Sequence, residues 1–201
     1  VAIHPLNEID RLRSALLALG LPELDLPHTN KPKHTHWIPA AVLVLLQRGE
    51  QSQIEFVLTQ RGAHLTAHGG QISFPGGRIE PSDASAAAAA LRESHEEIGL
   101  VPDHVEPLGL LTPIYTGTGF RITPVVGLLN NTVNLMPASA EVAEVFTLPL
   151  DFVLDPNNIQ LHEREWEGHL VRSHRVFYRH YDIWGATANI IADLVQRLRG
   201  A

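Results

Sequence analysis

Between Gly76 and Leu100 the sequence reads GGRIEPSDASAAAAALRESHEEIGL, and this stretch leaves the chain little structural choice. The alanine run Ala86–Ala90 has maximal helix propensity, and Pro81-Ser82-Asp83 ahead of it supplies a Ser or Asp N-cap. Gly99 marks the far end, because glycine tolerates the left-handed residue that closes a helix. At about 100° per residue, Leu91 and Ile98 share a face with Ala84 and point toward a core. Glu93, Glu96 and Glu97 fall within an arc of about 100° on the opposite side. Like charges at i, i+3 and i+4 repel, and the last turn of a helix disfavours anions. Something must offset both effects. Arg92 stands beside the arc and can pair with one carboxylate. A hard divalent cation such as Mg²⁺ would satisfy the rest, since it favours carboxylate, carbonyl and water oxygens.

Upstream and downstream of this helix the patterns are mostly those of strands. AAVLVLLQ, from Ala40, is a continuous apolar strand, and after a turn at Gly49-Glu50 the segment Gln53–Gln60 is its hairpin partner. A short strand is expected at Gln71–Phe74, longer ones at Glu106–Leu111 and Arg121–Leu129, and a hairpin between Ile159 and Tyr181. An amphipathic helix from Trp184 to Gly200 closes the chain, with Trp184 and Ile190 assigned to the core. Near the start, Ile9, Leu12, Leu16 and Leu19 have helical spacing over residues 7–19, followed by a Pro- and His-rich arm. The predicted division is a helix and connecting arm over 1–36 and a single folded domain over 37–201. Strand and helix alternate without the regularity of a doubly wound sheet, so the fold class is α/β with a mixed, α+β-like arrangement.

Composition removes several functions. A net charge of −7 gives no global drive toward nucleic acid or anionic membrane. With no cysteine, disulfides, thiolate nucleophiles and cysteine zinc sites are excluded. The apolar run Ile38–Leu46 contains Pro39 and is too short to span a bilayer, and the first residues lack signal-peptide character. A cytoplasmic protein is therefore expected, with a small-molecule substrate, no nucleic acid, no membrane, and a homodimer left open.

GGRIEPSDASAAAAALRESHEEIGL resembles the Nudix box, G-x5-E-x7-R-E-U-x-E-E-x-G-U, with U a bulky apolar residue. Arg92, Glu93, Glu96, Glu97, Gly99 and Leu100 match the second half. Counted from Gly77, the acidic position falls on Asp83, with eight residues rather than seven between it and Arg92, and Ser94 replaces an aliphatic residue. Upstream, LTQRGAHLTAHGGQISFPGG, from Leu58 to Gly77, resembles the second signature of the coenzyme A pyrophosphatases, a subfamily that shares the longer box. Gly62 and Thr66 depart from that signature, the latter standing where arginine is usual. ITPVVG, EVFTLPL, SHRVF and WGATA also look like this subfamily, so the resemblance covers roughly residues 38–195.

The resemblance implies a Nudix fold: an α/β/α sandwich with a mixed β-sheet and a catalytic loop–helix–loop. It implies Mg²⁺- or Mn²⁺-dependent hydrolysis of the diphosphate of coenzyme A or its derivatives to 3',5'-ADP and 4'-(acyl)phosphopantetheine. In that picture Glu93 and Glu97 are the principal metal ligands, Glu96 and the Gly77 carbonyl assist, and Arg92 orients the glutamates. The general base is a glutamate outside the box or a box glutamate, and outside the box Glu141 is preferred and Glu144 second. Arg61, His68 and Phe74 are expected to meet substrate. His64, His68, His95 and His174 lack zinc-site spacing, and His95 is read as a helix-surface residue. The alternatives are a Nudix hydrolase of another nucleoside diphosphate derivative, such as ADP-ribose or a dinucleotide, and a catalytically silent nucleotide-binding domain.

Overall fold

Consecutive apolar residues in a strand need cover on both faces, and β1 (Ile38–Arg48) receives it. Ala41, Leu43 and Leu45 enter one buried cluster, while Val44 and Leu46 enter another on the opposite face. The computed structural model describes residues 9–10, 12–14, 36–50, 52–66, 68–131, 133–166 and 169–200. Within them β1 is the hub. It pairs antiparallel with β2 (Ile54–Arg61) at its far end and with β4 (Gly76–Arg78) at its near end. It runs parallel to β7 (Phe120–Leu129) along most of its length. β3 (Ile72–Ser73) and β8 (Val142–Pro149) pair with β2, and β5 (Val105–Leu110) and β6 (Ile114–Tyr115) pair with β7. The result is an eight-stranded mixed sheet.

One helix covers each face. α1 (Ala86–Ile98) seats Ala89, Ala90 and Ile98 against Ala41, Leu43 and Leu45. After the short α2 (Leu150–Leu154), an antiparallel three-stranded sheet of β9 (Gln160–Trp166), β10 (His169–Tyr178) and β11 (Tyr181–Trp184) leads into α3 (Ala186–Gly200). α3 places Ile190, Ile191, Leu194 and Leu198 in the cluster with Val44 and Leu46. This is the expected α/β/α arrangement, and the hairpin partners of β1 and β10 are those the sequence predicts.

The structure corrects several local expectations. The N-cap of α1 is Ser85, whose Oγ accepts from the Ala88 N–H at 3.1 Å, rather than Ser82 or Asp83. The Asp83 carboxylate is engaged elsewhere, by the Glu80 N–H at 2.8 Å and by Arg92. The core face of α1 is Ala89, Ala90, Ser94 and Ile98, with Leu91 half-buried against the same cluster as expected, whereas Ala84 is exposed. Ser94 suits that face because its hydroxyl donates to the Ala90 carbonyl at 2.6 Å, which satisfies the buried oxygen. Ile190 is in the core, but Trp184 ends β11 at the surface with 39% exposure. Of the expected helix over 7–19, the described residues are helical and bury Ile9 and Leu12 in the α3-side cluster. Leu16, Leu19 and the arm through residue 35 lie outside the described residues. Among the described residues no helix is long and apolar enough to cross a membrane.

Candidate active site

The second half of α1 lies over β4, and two glycines set how closely. Gly76 has φ 153°, and a Cβ there would sit 2.3 Å from the Ala41 carbonyl oxygen. A Cβ on Gly77 would sit 2.5 Å from the Glu93 carboxyl carbon and 2.6 Å from both its oxygens. Only glycine lets this backbone run directly beneath the acidic face of the helix. The Gly76 N–H uses that proximity to donate to Glu97 Oε2 at 3.2 Å.

Arg92 organises one end of the cluster. Its Nε and Nη2 donate to the two Asp83 oxygens, each at 3.0 Å, in a fork-to-fork pair. Nη1 donates to Glu93 Oε1 at 3.0 Å and to Glu96 Oε1 at 3.3 Å, and Nη2 also reaches the Arg78 carbonyl at 3.1 Å. The guanidinium holds Asp83 below the usual carboxylate range, and these anions raise Arg92 in turn. Asp83, marked in the sequence only as the box's acidic position, is thus Arg92's main partner. In the sequence alone Asp83 is indistinguishable from a helix cap, because Arg92 lies nine residues away.

Arg61, at the end of β2, organises the other end. Its Nη2 donates to Glu141 Oε2 at 2.9 Å, and its Nη1 lies 3.9 Å from Glu97 Oε1. Arg61 Nε is buried without a hydrogen-bond partner. Glu97, with a side chain only 12% exposed, has the cluster's most perturbed carboxyl. Burial pushes it up to about 7; the Gly76 N–H and Arg61 pull the other way, and Glu93 and Glu141 add to the rise. Burial also raises Glu93, against the pull of Arg92. Glu96 is mostly solvated, at 55% exposure.

Contacts therefore link Arg92, Glu93, Glu96, Glu97, Gly77, Arg61 and Glu141 in one continuous site. Other expected residues stand apart. Phe74 is in the core at 2% exposure, its ring 5.9 Å from that of Phe56, so it supports the strand and cannot line a surface for substrate. His68 occupies an exposed turn with φ 61°, its Nδ1 2.8 Å from Gln71 Oε1. Glu144 shares a face of β8 with Phe146, on the α3 side, and accepts from the Tyr181 hydroxyl at 2.7 Å. His95 meets the Leu100 carbonyl at 2.9 Å, which places a ring nitrogen at the end of α1.

Among the described residues, no three His, Asp or Glu side chains are gathered into a ready-made ion site. The donor set still suits a hard divalent cation. It offers oxygen ligands, carries more negative charge than its arginines neutralise, and at Gly77 lets the Glu93 carboxylate lie directly against the backbone, where any side chain would collide with it.

A family model described as "NUDIX domain" matches residues 37–173. The chain belongs to the Nudix family. It is 42% identical over 159 residues to "Uncharacterized Nudix hydrolase NudL" of Enterobacter sp. (strain 638), covering 79% of this chain and 82% of that protein. A protein of the same name from Salmonella paratyphi B is 39% identical over 175 residues, covering 84% and 88% of the two chains. A MutT/nudix family protein from Enterococcus faecalis superposes with a TM-score of 0.51 at 20% identity, covering 100% of this chain and 76% of that one, a likeness of fold alone. As a Nudix hydrolase the protein acts on a nucleoside diphosphate derivative, and Nudix hydrolases generally use divalent metal ions.

Proposed function

We propose that this Nudix hydrolase cleaves the diphosphate of coenzyme A or its acyl derivatives, releasing 3',5'-ADP and 4'-phosphopantetheine or its acyl form. The observation that carries this reading is the course of Leu58–Gly77, the segment with the coenzyme A-type signature. Its first residues, the end of β2, present Arg61 to Glu97 and Glu141, and its last residues, Gly76 and Gly77, lie under Glu97 and Glu93. Both ends of the signature thus wall the carboxylate cluster.

Glu93 and Glu97, helped by Glu96 and the Gly77 carbonyl, would hold Mg²⁺ or Mn²⁺, which when bound neutralises charge on the diphosphate and acidifies an attacking water. Arg92 fixes Glu93 and Glu96 against Asp83, so the carboxylates do not reorganise as charge develops. Arg61 turns its guanidinium, including the unpartnered Nε, toward a phosphate oxygen. Glu141, released from Arg61, accepts the proton of the water. The water oxygen bonds to phosphorus, the bridging P–O bond breaks, and two phosphate monoesters leave. Glu144 faces the α3 side of β8, which supports Glu141 over it as the base. His68, on the signature loop, is assigned to the substrate's periphery. The family match over residues 37–173 supports a catalytic domain beginning at residue 37, against whose core Ile9 and Leu12 of the preceding segment pack. The lack of cysteine supports a cytoplasmic setting.

The rival substrates, ADP-ribose and dinucleotides, draw on Thr66, where the signature's usual arginine is missing. Incubation with coenzyme A and Mg²⁺, followed by chromatography, should yield 3',5'-ADP. Turnover of ADP-ribose but not coenzyme A would replace this reading with the rival. Binding without turnover of any diphosphate would make the domain a silent one.

A further inference from the structure

Adjacent residues of a strand point to opposite faces, and in β4 this separates Gly77 from Arg78. Gly77 faces Glu93 beneath α1. Arg78 faces the other side of the sheet, where the register aligns it with Ala40 of β1 and, one strand further, Ile122 of β7. There its guanidinium carbon lies 5.6 Å from the centroid of the Phe120 ring. Ile38, the β1 partner of Phe120, is 38% exposed; Phe120 and Ile122 are half-buried, and Arg78 is exposed. Its neighbour Arg92 is saturated with carboxylates and also grips the Arg78 carbonyl, which fixes the strand in place. The Arg78 guanidinium itself makes no hydrogen bond or ion pair among the described residues.

A guanidinium lying over an aromatic ring keeps its N–H edge available for an anion, and the ring with its aliphatic neighbours offers a platform for a flat base. The diphosphate site at Glu93 and Gly77 is on the opposite face of β4, but among the described residues β4 pairs only with β1, so its free edge lets a ligand pass from one face to the other beside Arg78. A nucleoside with its diphosphate there and its base toward Phe120 carries its sugar past Arg78. A phosphate on that sugar supplies the planar oxygen pair that a guanidinium fork binds, whereas a bare hydroxyl does not.

We propose that Arg78, seated on Phe120, is the subsite for a phosphomonoester on the nucleoside half of the substrate. The chain then prefers nucleoside diphosphate derivatives carrying that additional phosphate over those without it. This deepens the coenzyme A reading and rests on it for the chemistry of the substrate.

Calorimetric titration without divalent metal tests it, using two nucleotides that differ only in the 3'-phosphate. Wild type should bind 3',5'-ADP about 10- to 100-fold more tightly than 5'-AMP, the range of a charge-assisted pair. In Arg78→Ala that ratio should fall to near one, and Arg78→Lys should restore part of it. Phe120→Leu should weaken both nucleotides by a similar factor and leave the ratio standing, with circular dichroism reporting that each variant is folded. No preference in wild type, including no binding of either nucleotide, overturns the subsite, as does a ratio that survives Arg78→Ala. The two proposals fail separately. A preference without coenzyme A cleavage leaves the subsite and removes the reaction, whereas cleavage without a preference does the reverse.

Discussion

α1 and α3 both carry charge against the sheet, and they handle it in opposite ways. On α3, Asp193 and Arg197 are one turn apart, 3.0 Å from each other, with side chains only 2% and 6% exposed. Thr112 completes the pair, its hydroxyl accepting from Arg197 Nη2 at 2.7 Å and its N–H donating to Asp193 Oδ2 at 3.4 Å. One cation meets one anion, the surplus polar atoms are satisfied, and the pair ties the chain before β6 to α3. On α1 the count does not balance. Arg92 serves Asp83, Glu93 and Glu96 together, and Glu97 keeps only a backbone N–H and a distant Arg61. A balanced buried pair joins elements of the fold; an unbalanced one stores negative charge at a place where only a cation can relieve it.

Breaking each helix's charges should therefore damage different properties. Glu97→Gln should lower kcat/KM for coenzyme A by about 10³-fold or more, since a ligand to the catalytic ion supplies several kcal/mol of transition-state stabilisation. Its circular dichroism should match wild type, and near-wild-type turnover would remove Glu97 from the ligand set. Asp193→Ala should instead cost about 3–5 kcal/mol of stability by stranding the Arg197 charge, read in urea unfolding, while turnover per folded molecule holds. If Asp193→Ala impaired chemistry without destabilising, the contrast between the helices would fail.

Titration sharpens the contrast further. The Glu97 carboxyl is held at about 7 when folded, above its ordinary 4.5, so the folded protein binds its proton more tightly than the unfolded chain does. Between those values stability should fall as pH rises, by up to about 3 kcal/mol, and the loss should be complete above about pH 7. Glu97→Gln should flatten that part of the Tm-versus-pH curve, and Mg²⁺ at pH 8 should raise Tm in wild type more than in the variant. Identical pH profiles for the two proteins would contradict the assigned burial. The smallest effect is expected from Arg92→Lys, which keeps the charge but cannot fork onto Asp83 while reaching Glu93. A loss of about 10-fold in kcat/KM is expected, as for partners that orient metal ligands; no loss would mean that charge alone suffices at that position.

Much of this molecule is legible in its sequence because its period and punctuation are strong. The apolar run of β1, the hairpin partner at β2 and the helix ending at Gly99 are local patterns, and the structure has all three. Local patterns leave the outcome open where neighbouring residues are chemically alike or a strand sets the facing. Ser82, Asp83 and Ser85 can each cap a helix, and the choice of Ser85 follows from Asp83 being drawn to Arg92, nine residues on. Phe74 sits beside the glycines of the site in sequence, yet strand alternation sends its ring into the core against Phe56. Glu141 and Glu144 are alike in the sequence; Glu141, in the turn before β8, meets Arg61, whereas Glu144, within β8, meets Tyr181.

By itself, then, the sequence determined the family, the helix and the identities of the acidic residues, since spacing along one element decides which side chains share a face. Tertiary structure decided which carboxylate is buried, which arginine neutralises which acid, and which side of β4 each residue serves. Those outcomes depend on groups far apart in the chain, through burial and distance, and no local pattern encodes either quantity.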